Sequence, residues 1–323
     1  MKAIQIQSHG GPEVLKVTTV PDPKPGAGEV LVRIKASAIN PLDGIVRMGY
    51  FPIAKKPPVI LGEEGAGVVE RAGAGFKAGE RVIVYGGGLG VFRDGTWAEL
   101  VAVPAPSLRR LPKGVAFEEG AALPNVGVTA YGALRTAELK TGEILVVLGA
   151  TGGVGSAGVQ IGKAMGARVI AVVSTPEKAA KVQALGADHV VALSGVPLAE
   201  QVQELTAGRG ADAVLDPIGG EATGKALATL ASFGRLVHLG YSAGMSFTIN
   251  SLDLIAKPSR ILGFNIFMVP AGRSAKDLDE VMAMAARKKY RAVVDKTFPM
   301  AKVAEATRHL EGRKAVGKVV LTI

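Results

Sequence analysis

The sequence predicts an α/β protein in which a doubly wound parallel sheet is joined to a β-rich part. Residues 143–166 read EILVVLGATGGVGSAGVQIGKAMG, which predicts a buried strand, a glycine-rich turn and a helix of small residues. From about residue 121, apolar strand-like runs alternate with helical stretches of about 10–15 residues, the pattern of a doubly wound sheet. Residues 1–122 instead carry short apolar runs separated by Pro and Gly clusters, which predicts a β-rich region.

The individual elements follow from the same patterns. The strands predicted in the β-rich part are Glu29–Ala36, Gly67–Arg71, Arg81–Val84 and Trp97–Val103. The predicted parallel strands are Ile144–Leu148, Val169–Val173, His189–Ala192, Ala213–Asp216, Arg235–Leu239 and Arg260–Gly263. The predicted tail consists of helices Asp277–Lys289 and Ala301–Leu310 and a closing strand, Gly317–Ile323. Met245–Ile249 reads as one more short apolar strand, at the edge of the parallel sheet.

The glycine-rich turn is a candidate phosphate site. Glycines allow backbone N–H groups to approach a dinucleotide pyrophosphate, and the start of the following helix supplies partial positive charge. Gly152, Gly153 and Val154 are the residues expected to bind it. A literal G-x-G-x-x-G also occurs at 153–158, but it would lie inside the helix, and we treat that register as accidental.

The end of the next strand indicates which dinucleotide is bound. An NAD-binding fold usually places an acidic residue there to hold the ribose 2′-hydroxyl. This chain has Ser174-Thr175-Pro176-Glu177-Lys178 instead. A hydroxyl at Ser174 and an ammonium at Lys178 suit a 2′-phosphate, so the sequence predicts NADP(H).

Composition excludes several classes of protein. With 323 residues, 48% of them hydrophobic, the chain is long enough for two domains with real cores. No apolar run approaches the roughly 20 residues of a membrane helix. Cysteine is absent, which excludes disulfides, thiolate metal sites and a cysteine nucleophile. We expect a cytoplasmic protein without a membrane partner.

The net charge of +10 is concentrated towards the end of the sequence. Residues 257–323 contain 14 Lys and Arg against 6 Asp and Glu. Such charge attracts nucleic acid or small anions. Because the chain has neither zinc-finger spacing nor an aromatic-basic run, we interpret the segment as a solvated basic surface and regard nucleic acid as an unlikely partner.

Seven short segments are informative through their order and spacing: MKAIQIQSHGGPEVL (1–15), ASAINPLDGIVRMGYF (36–51), PPVILGEEGAGVVERAGAG (57–75), GTWAELVAVP (95–104), LPNVGVTAYGAL (123–134), LGATGGVG (148–155) and GKVVLTI (317–323). Together they resemble the medium-chain dehydrogenase/reductase superfamily, most closely its zinc-free quinone oxidoreductase branch, which includes the zeta-crystallins. The resemblance covers essentially the whole chain. It implies a GroES-like catalytic domain, 1–122 with 264–323, around a Rossmann NADP(H)-binding domain, 123–263.

The resemblance also implies site residues. Asn40 would contact the nicotinamide ribose and the substrate, and Tyr50 would line the substrate mouth as the nearest phenolic proton donor, with water as the alternative. Lys318 could reach a cofactor phosphate. The remaining residues expected near the nicotinamide end of the cofactor are Thr129, Leu239, Gly240, Tyr241, Phe264 and Asn265. His238 is expected to be a buried, hydrogen-bonded histidine without a catalytic role.

The slots of the family's zinc ligands are the most informative part of the comparison. Zinc alcohol dehydrogenases carry a cysteine where this chain has Asn40, a histidine where it has Glu63, and a third ligand near Val126. Because zinc prefers a closed set of Cys, His or carboxylate ligands, we expect no metal site. Glu63 and Glu64 are expected to be turn acids, solvated or hydrogen-bonded, with Glu64 also able to brace the site.

Losing zinc changes the expected chemistry, because an unactivated ketone is then a poor hydride acceptor. The resemblance implies an NADPH-dependent oxidoreductase that reduces quinones or α,β-unsaturated carbonyls, whose added charge is delocalised. Two alternatives stay open: an enoyl-thioester reductase, and an NADPH-binding protein with a structural or RNA-associated role. We also expect a homodimer joined through the edge of the parallel sheet, since an exposed edge strand needs a cover.

Overall fold

A computed structural model describes residues 1–193, 195–312 and 315–323. The strands in these residues are β1 (Lys2–Ile6), β2 (Val17–Thr19), β3 (Glu29–Ile39), β4 (Val59–Ile60), β5 (Glu64–Arg71), β6 (Arg81–Tyr85), β7 (Leu100–Pro104), β8 (Leu108–Arg110), β9 (Ile144–Val147), β10 (Arg168–Val173), β11 (His189–Ala192), β12 (Ala211–Asp216), β13 (Leu230–His238), β14 (Arg260–Gly263), β15 (Val294–Pro299) and β16 (Lys318–Thr322). The α-helices are α1 (Pro41–Arg47), α2 (Phe117–Ala122), α3 (Pro124–Thr136), α4 (Gly153–Ala164), α5 (Ala179–Gln183), α6 (Leu198–Leu205), α7 (Glu221–Leu227), α8 (Ser251–Ile255), α9 (Ala271–Ala286) and α10 (Val303–Glu311).

The chain divides into two compact units. Unit 1 comprises Met1–Asn125 and Ala292–Ile323, and unit 2 comprises Val126–Arg291. The first division lies three residues from the domain boundary expected from the resemblance. The second lies 28 residues later than expected, so α9 belongs to unit 2. There Asp277 on α9 forms an ion pair with Arg135 on α3 at 3.0 Å.

Unit 1 is built from two β-sheets. A three-stranded sheet has the order β2-β1-β4, and a larger sheet has the order β15-β16-β3-β5-β6-β8, with β7 paired to β3. Strand β3 is buried along most of its length because it has neighbours on both sides. Apolar side chains of β1, β3, β16 and α10 form one core with the buried Trp97. The β-rich region expected from the sequence is confirmed.

Unit 2 contains one parallel sheet in the order β11-β10-β9-β12-β13-β14. Strands β9 and β10 read ILVV and RVIAVV and are buried except for Arg168, as expected of strands covered on both faces. The chain order reverses between β9 and β12, and doubly wound folds bind their ligands outside the carboxyl ends of the strands at this point. The predicted α/β class and doubly wound topology are therefore confirmed.

Helix α4 lies close to this sheet because glycines face it. A Cβ at Gly158 would lie 2.4 Å from Leu215 Cδ2, and one at Gly162 would lie 2.6 Å from Leu145 Cδ2. Gly153, Gly155 and Gly158 of the literal G-x-G-x-x-G all lie inside this helix, as the interpretation of that register as accidental required. No α-helix in the described ranges is long and apolar enough to span a membrane.

One predicted strand is wrong. Residues 245–249 form no strand, and the sheet ends at β14 instead. The apolar residues of this segment are separated by Ser246 and Thr248, and Met245 is 84% exposed. A segment without a neighbour to pair with has no ladder of hydrogen bonds, which the apolar pattern alone could not reveal.

Candidate functional site

The glycine-rich turn of unit 2 ends in a helix start that lacks a side-chain cap. Gly152 is extended at the N-cap of α4, and no side chain accepts a hydrogen bond there. The first-turn N–H groups of Gly153, Val154 and Gly155 therefore have no acceptor within the helix. This end of α4 follows the carboxyl end of β9, where an anionic group of a ligand is favoured by those N–H groups.

Gly155 also determines the shape of this turn. A Cβ at this position would lie 2.1 Å from the carbonyl oxygen of Gly149, far inside van der Waals contact. Gly149 itself has a φ of +54°, a conformation that favours glycine. The turn can thus be formed only because both positions lack a side chain.

Ser174 and Lys178 lie together after β10, as a 2′-phosphate site requires. Lys178 Nζ donates a hydrogen bond to Ser174 Oγ at 3.2 Å; Ser174 is exposed and Lys178 is half-buried. A hydroxyl and an ammonium held side by side present hydrogen-bond donors to an approaching anion.

The segments after β13 and β14 follow the carboxyl edge of the same sheet. Leu239 N–H donates to Asp216 O at 3.0 Å, and Phe264 N–H donates to His238 O at 2.9 Å. A Cβ at Gly240 would lie 2.1 Å from the carbonyl oxygen of Pro217, which follows β12. These backbones are thus held close to the ends of β12 and β13.

Three further predicted residues of unit 2 have distinct environments. Tyr241 is exposed, and its ring is accessible to a ligand. Thr129 is buried in the middle of α3. Asn265 Oδ1 accepts from Phe267 N–H and caps the short helix Ile266–Met268, so this oxygen is already engaged.

Sequence reasoning missed a pair at the ends of β12 and β13. His238 Nδ1 lies within hydrogen-bond distance of Asp216 Oδ2, at 2.9 Å. Asp216 Oδ1 accepts hydrogen bonds from the N–H groups of Ile218 and Gly219. Thr223 Oγ1 also donates to Asp216 Oδ2, at 2.6 Å. His238 is one quarter exposed rather than buried. The parallel register that opposes Asp216 to His238 was the missing information.

A second polar cluster lies in unit 1, at one end of three neighbouring strands. Asn40 follows the end of β3, Glu64 begins β5 and Lys318 begins β16. Because β3 is antiparallel to both neighbours, these three residues meet at the same edge. Asn40 Nδ2 donates to Glu64 Oε1 at 3.1 Å, and Lys318 Nζ lies 3.0 Å from the same oxygen.

Lys318 has a different environment from the one expected. Its ammonium is buried and donates to Ile39 O at 3.1 Å, to Asn40 Oδ1 and to Glu64 Oε1. An ammonium has three N–H groups, and all three are used here. Lys318 therefore has no N–H left for the phosphate contact that the resemblance implied, and it instead neutralises Glu64.

Two other carboxyl groups are buried beside this ion pair. Asp43 Oδ2 accepts from Asn40 N–H at 2.7 Å and Oδ1 accepts from Gly62 N–H at 3.0 Å, so Asp43 takes part in the N-terminal capping of α1. Burial raises the pKa of Asp43 from 3.8 to about 7, while Lys318 and the two N–H donors oppose the rise.

Glu63 is buried rather than solvated. Its Oε2 accepts from Asn125 Nδ2 at 3.3 Å, and Oε1 has no hydrogen-bond partner in the part of the chain that the structure describes. Burial raises the pKa of Glu63 well above its ordinary value, and the negative charges of Asp43 and Glu64 raise it further. Asn125 N–H donates to Glu64 Oε2 at 2.7 Å, which connects the two glutamates.

Tyr50 does not share this buried environment. It lies in the loop after α1 and is 71% exposed. No hydrogen bond of its phenol to the cluster is present among the described residues. The structure thus brings Asn40 and Lys318 together and leaves Tyr50 at the surface.

Comparisons with known proteins cover both units. Residues 26–113 match the alcohol dehydrogenase GroES-like domain, and residues 153–295 match the zinc-binding dehydrogenase family. A quinone oxidoreductase of Pseudomonas aeruginosa is 34% identical over 99% of both chains. An acryloyl-coenzyme A reductase of Sulfurisphaera tokodaii is 30% identical, again over 99% of both. A solved structure described as an NAD-dependent alcohol dehydrogenase is 33% identical over the full length of both chains, with a TM-score of 0.90.

Proposed function

Since this chain belongs to the quinone oxidoreductase branch of the medium-chain dehydrogenase/reductase superfamily, we propose that it is a zinc-independent, NADPH-dependent reductase of quinones and α,β-unsaturated carbonyls. Membership makes the chain an oxidoreductase that uses a nicotinamide cofactor. The finer proposal rests on the side chains of Asn40, Glu63 and Glu64. The reduction of a ketone would require a Lewis-acidic metal at this place, and these side chains offer two acids and an amide instead.

The residues present do not fit zinc. Glu64 is already bound to Lys318, and the slot of the third zinc ligand holds Val126, which cannot coordinate a metal. Within residues 1–193, 195–312 and 315–323, no group of three or more His, Cys, Asp or Glu side chains is arranged to hold a metal ion. A quinone or an enone needs no such ion, because the charge that hydride adds is delocalised over the substrate.

The residues do fit a dinucleotide phosphate. The uncapped start of α4 at Gly153 and Val154 suits the pyrophosphate, and Ser174 with Lys178 suits a 2′-phosphate. When bound, a reduced nicotinamide supplies the hydride. We propose that Asn40 contacts the nicotinamide ribose and that the other expected contacts are Thr129, Leu239, Gly240, Tyr241, Phe264 and Asn265.

A substrate panel with NADPH tests this proposal. The purified protein is mixed with methyl-substituted benzoquinones, naphthoquinones, cyclic enones and crotonyl-coenzyme A, and NADPH oxidation is followed by absorbance. We expect the protein to reduce quinones or enones faster with NADPH than with NADH. We also expect the rate with NADPH to stay the same after chelator treatment. Activity that disappears with the chelator and returns with zinc would contradict the proposal.

An enoyl-thioester reductase is the second candidate, and the likeness to acryloyl-coenzyme A reductases favours it. The same panel separates the two, because a thioester reductase would prefer crotonyl-coenzyme A to the simple enones. Absence of turnover with every acceptor, together with tight NADPH binding, would favour the third reading, a binding protein with a structural or RNA-associated role.

We further propose a homodimer joined through the β14 edge of the parallel sheet. β14 pairs with β13 on one side, and its other side has no strand among the described residues. Large apolar side chains exposed in the same part of the chain are Met245, Ile249, Leu252, Ile255, Phe267 and Met268. Light scattering should show that the wild type is a dimer and that the Leu252→Lys/Ile255→Lys double variant is a monomer. A monomeric wild type would exclude this assembly.

A further inference from the structure

The cluster of unit 1 contains more acid than base. Asp43, Glu63 and Glu64 are buried at the end of β3, β5 and β16, and Lys318 is the ammonium that faces them. Glu64 receives Lys318, the Asn40 amide and a backbone N–H. Asp43 receives two backbone N–H groups.

Glu63 receives the fewest hydrogen bonds of the three carboxyl groups. Among the described residues its donor is the Asn125 amide at 3.3 Å, a long contact, and Oε1 has no partner there. An ionised oxygen left buried without a donor costs several kcal/mol. A protonated carboxyl is neutral, so leaving its Oε1 buried without a partner costs less than leaving an ionised oxygen there.

We propose that Glu63 is the acid that delivers the substrate proton in the reduction proposed above, on which this inference rests. Hydride from the reduced nicotinamide adds to the quinone or to the β-carbon of the enone, and an electron pair moves onto a carbonyl oxygen. The O–H bond of Glu63 breaks, and the proton forms a new O–H bond at that oxygen. Glu63 is left as a carboxylate and regains its proton from solvent, so each turnover consumes one NADPH and one proton.

The titratable groups that face Glu63 come from α1, β5, β6 and β16, and most of them favour this role. Asp43 on α1 and Glu64 on β5 raise the pKa of Glu63, and Lys318 on β16 opposes them. Tyr85 at the end of β6 opposes Glu64 in register, and burial raises the pKa of its phenol, which keeps it neutral. After its proton is transferred, the Glu63 carboxylate is stabilised by Lys318 and Asn125.

Tyr50 is a weaker candidate for the same task. Its phenol is 71% exposed, so water competes for its proton at all times. Glu63 is 8% exposed, and a buried acid keeps its proton for an acceptor placed beside it.

The first arm of the test measures the proton itself in the ligand-free protein. Glutamate labelled with ¹³C at Cδ is incorporated, and the Glu63 signal is assigned by its loss in Glu63→Gln. We expect the Glu63 carboxyl to be protonated at pH 7. An ionised Glu63 at that pH would overturn the inference, whatever the activity of the protein.

The second arm measures turnover of Glu63→Gln with Glu305→Gln as the control, since Glu305 is exposed on α10. For an enone or a methyl-substituted quinone we expect kcat to fall by about 100-fold, within the range of general acid catalysis, with unchanged NADPH affinity. Tetrachlorobenzoquinone, whose hydroquinone anion needs no proton, should be reduced at nearly the wild-type rate.

The outcomes separate this inference from the proposed function. Equal kcat of wild type and Glu63→Gln on the enone would overturn the inference and leave the reductase in place. Equal losses on the enone and on tetrachlorobenzoquinone would also overturn it, because they indicate a structural role. A wild type that reduces neither quinones nor enones would overturn the proposed function.

Discussion

Replacing Glu63 with Gln should make the protein more stable at neutral pH, by an amount that grows with pH. The folded state raises the pKa of Glu63 above its ordinary value of 4.5, so the folded chain binds this proton more tightly than the unfolded chain. Unfolding then releases a proton, and the wild-type free energy of unfolding falls as pH rises from 4.5 through the folded pKa. Glutamine has no proton to lose and lacks this slope.

The size of the effect follows from linkage. One proton contributes up to about 1.4 kcal/mol per pH unit at 25 °C, so the stability of the variant relative to wild type should rise by up to that amount per pH unit from pH 4.5 until the raised folded pKa of Glu63 is reached. Urea unfolding at several pH values measures it, with the fluorescence of Trp97 as probe, since this single tryptophan is buried in the core of unit 1. Glu305→Gln should show a flat difference. A flat difference for Glu63→Gln as well would refute the buried, protonated carboxyl.

Three other substitutions test the remaining parts of the site. Lys178→Ala should weaken NADPH binding about tenfold or more in fluorescence titrations and leave NADH nearly unchanged, since a charge-assisted contact contributes roughly 1.5–3 kcal/mol; equal losses would exclude the 2′-phosphate site. Lys318→Met should lower the free energy of unfolding at pH 7 by about 3–5 kcal/mol, because it leaves Glu64 buried without a cation; Lys318→Met/Glu64→Gln should recover part of the loss, and no recovery would contradict the ion pair. Gly155→Ala should abolish binding of both NADPH and NADH, because the added Cβ displaces Gly149. Thermal melting followed by circular dichroism checks that unit 2 is still folded. Wild-type affinity of this variant would contradict the tight turn.

Local patterns were sufficient to predict most of the parallel sheet. His189–Ala192 and Arg260–Gly263 have the predicted bounds, and β9 and β10 differ from theirs by one residue. Strands buried on both faces are continuous apolar runs between turns, and this signal is contained in a short window of sequence. Met245–Ile249 has the same apolar signal and forms no strand, because pairing depends on a neighbour that a window cannot contain.

The residues proposed to bind the nucleotide are also close together in the sequence. Gly152 and Gly153 form the start of α4, and Ser174 and Lys178 are four residues apart and hydrogen-bonded. Each of these contacts arises within one turn of chain, so spacing alone indicated it. The choice between NADP(H) and NAD(H) stays a prediction, as does the cytoplasmic location.

The acidic cluster could not be predicted in this way, since its members are far apart in sequence. Lys318 and Glu64 are separated by 254 residues, and they meet because β16 and β5 flank β3 on opposite sides. The sequence signal for a buried acid was the pair Glu63-Glu64 in a glycine-rich turn, which is equally typical of a solvated loop. What distinguishes the two environments is the supply of donors: Glu64 receives a lysine, an amide and a backbone N–H, whereas Glu63 receives one long amide contact. Two adjacent glutamates thereby have different partners: Glu64 holds Asn40 and Lys318, whereas Glu63, the proposed proton donor, keeps one oxygen without a partner among the described residues.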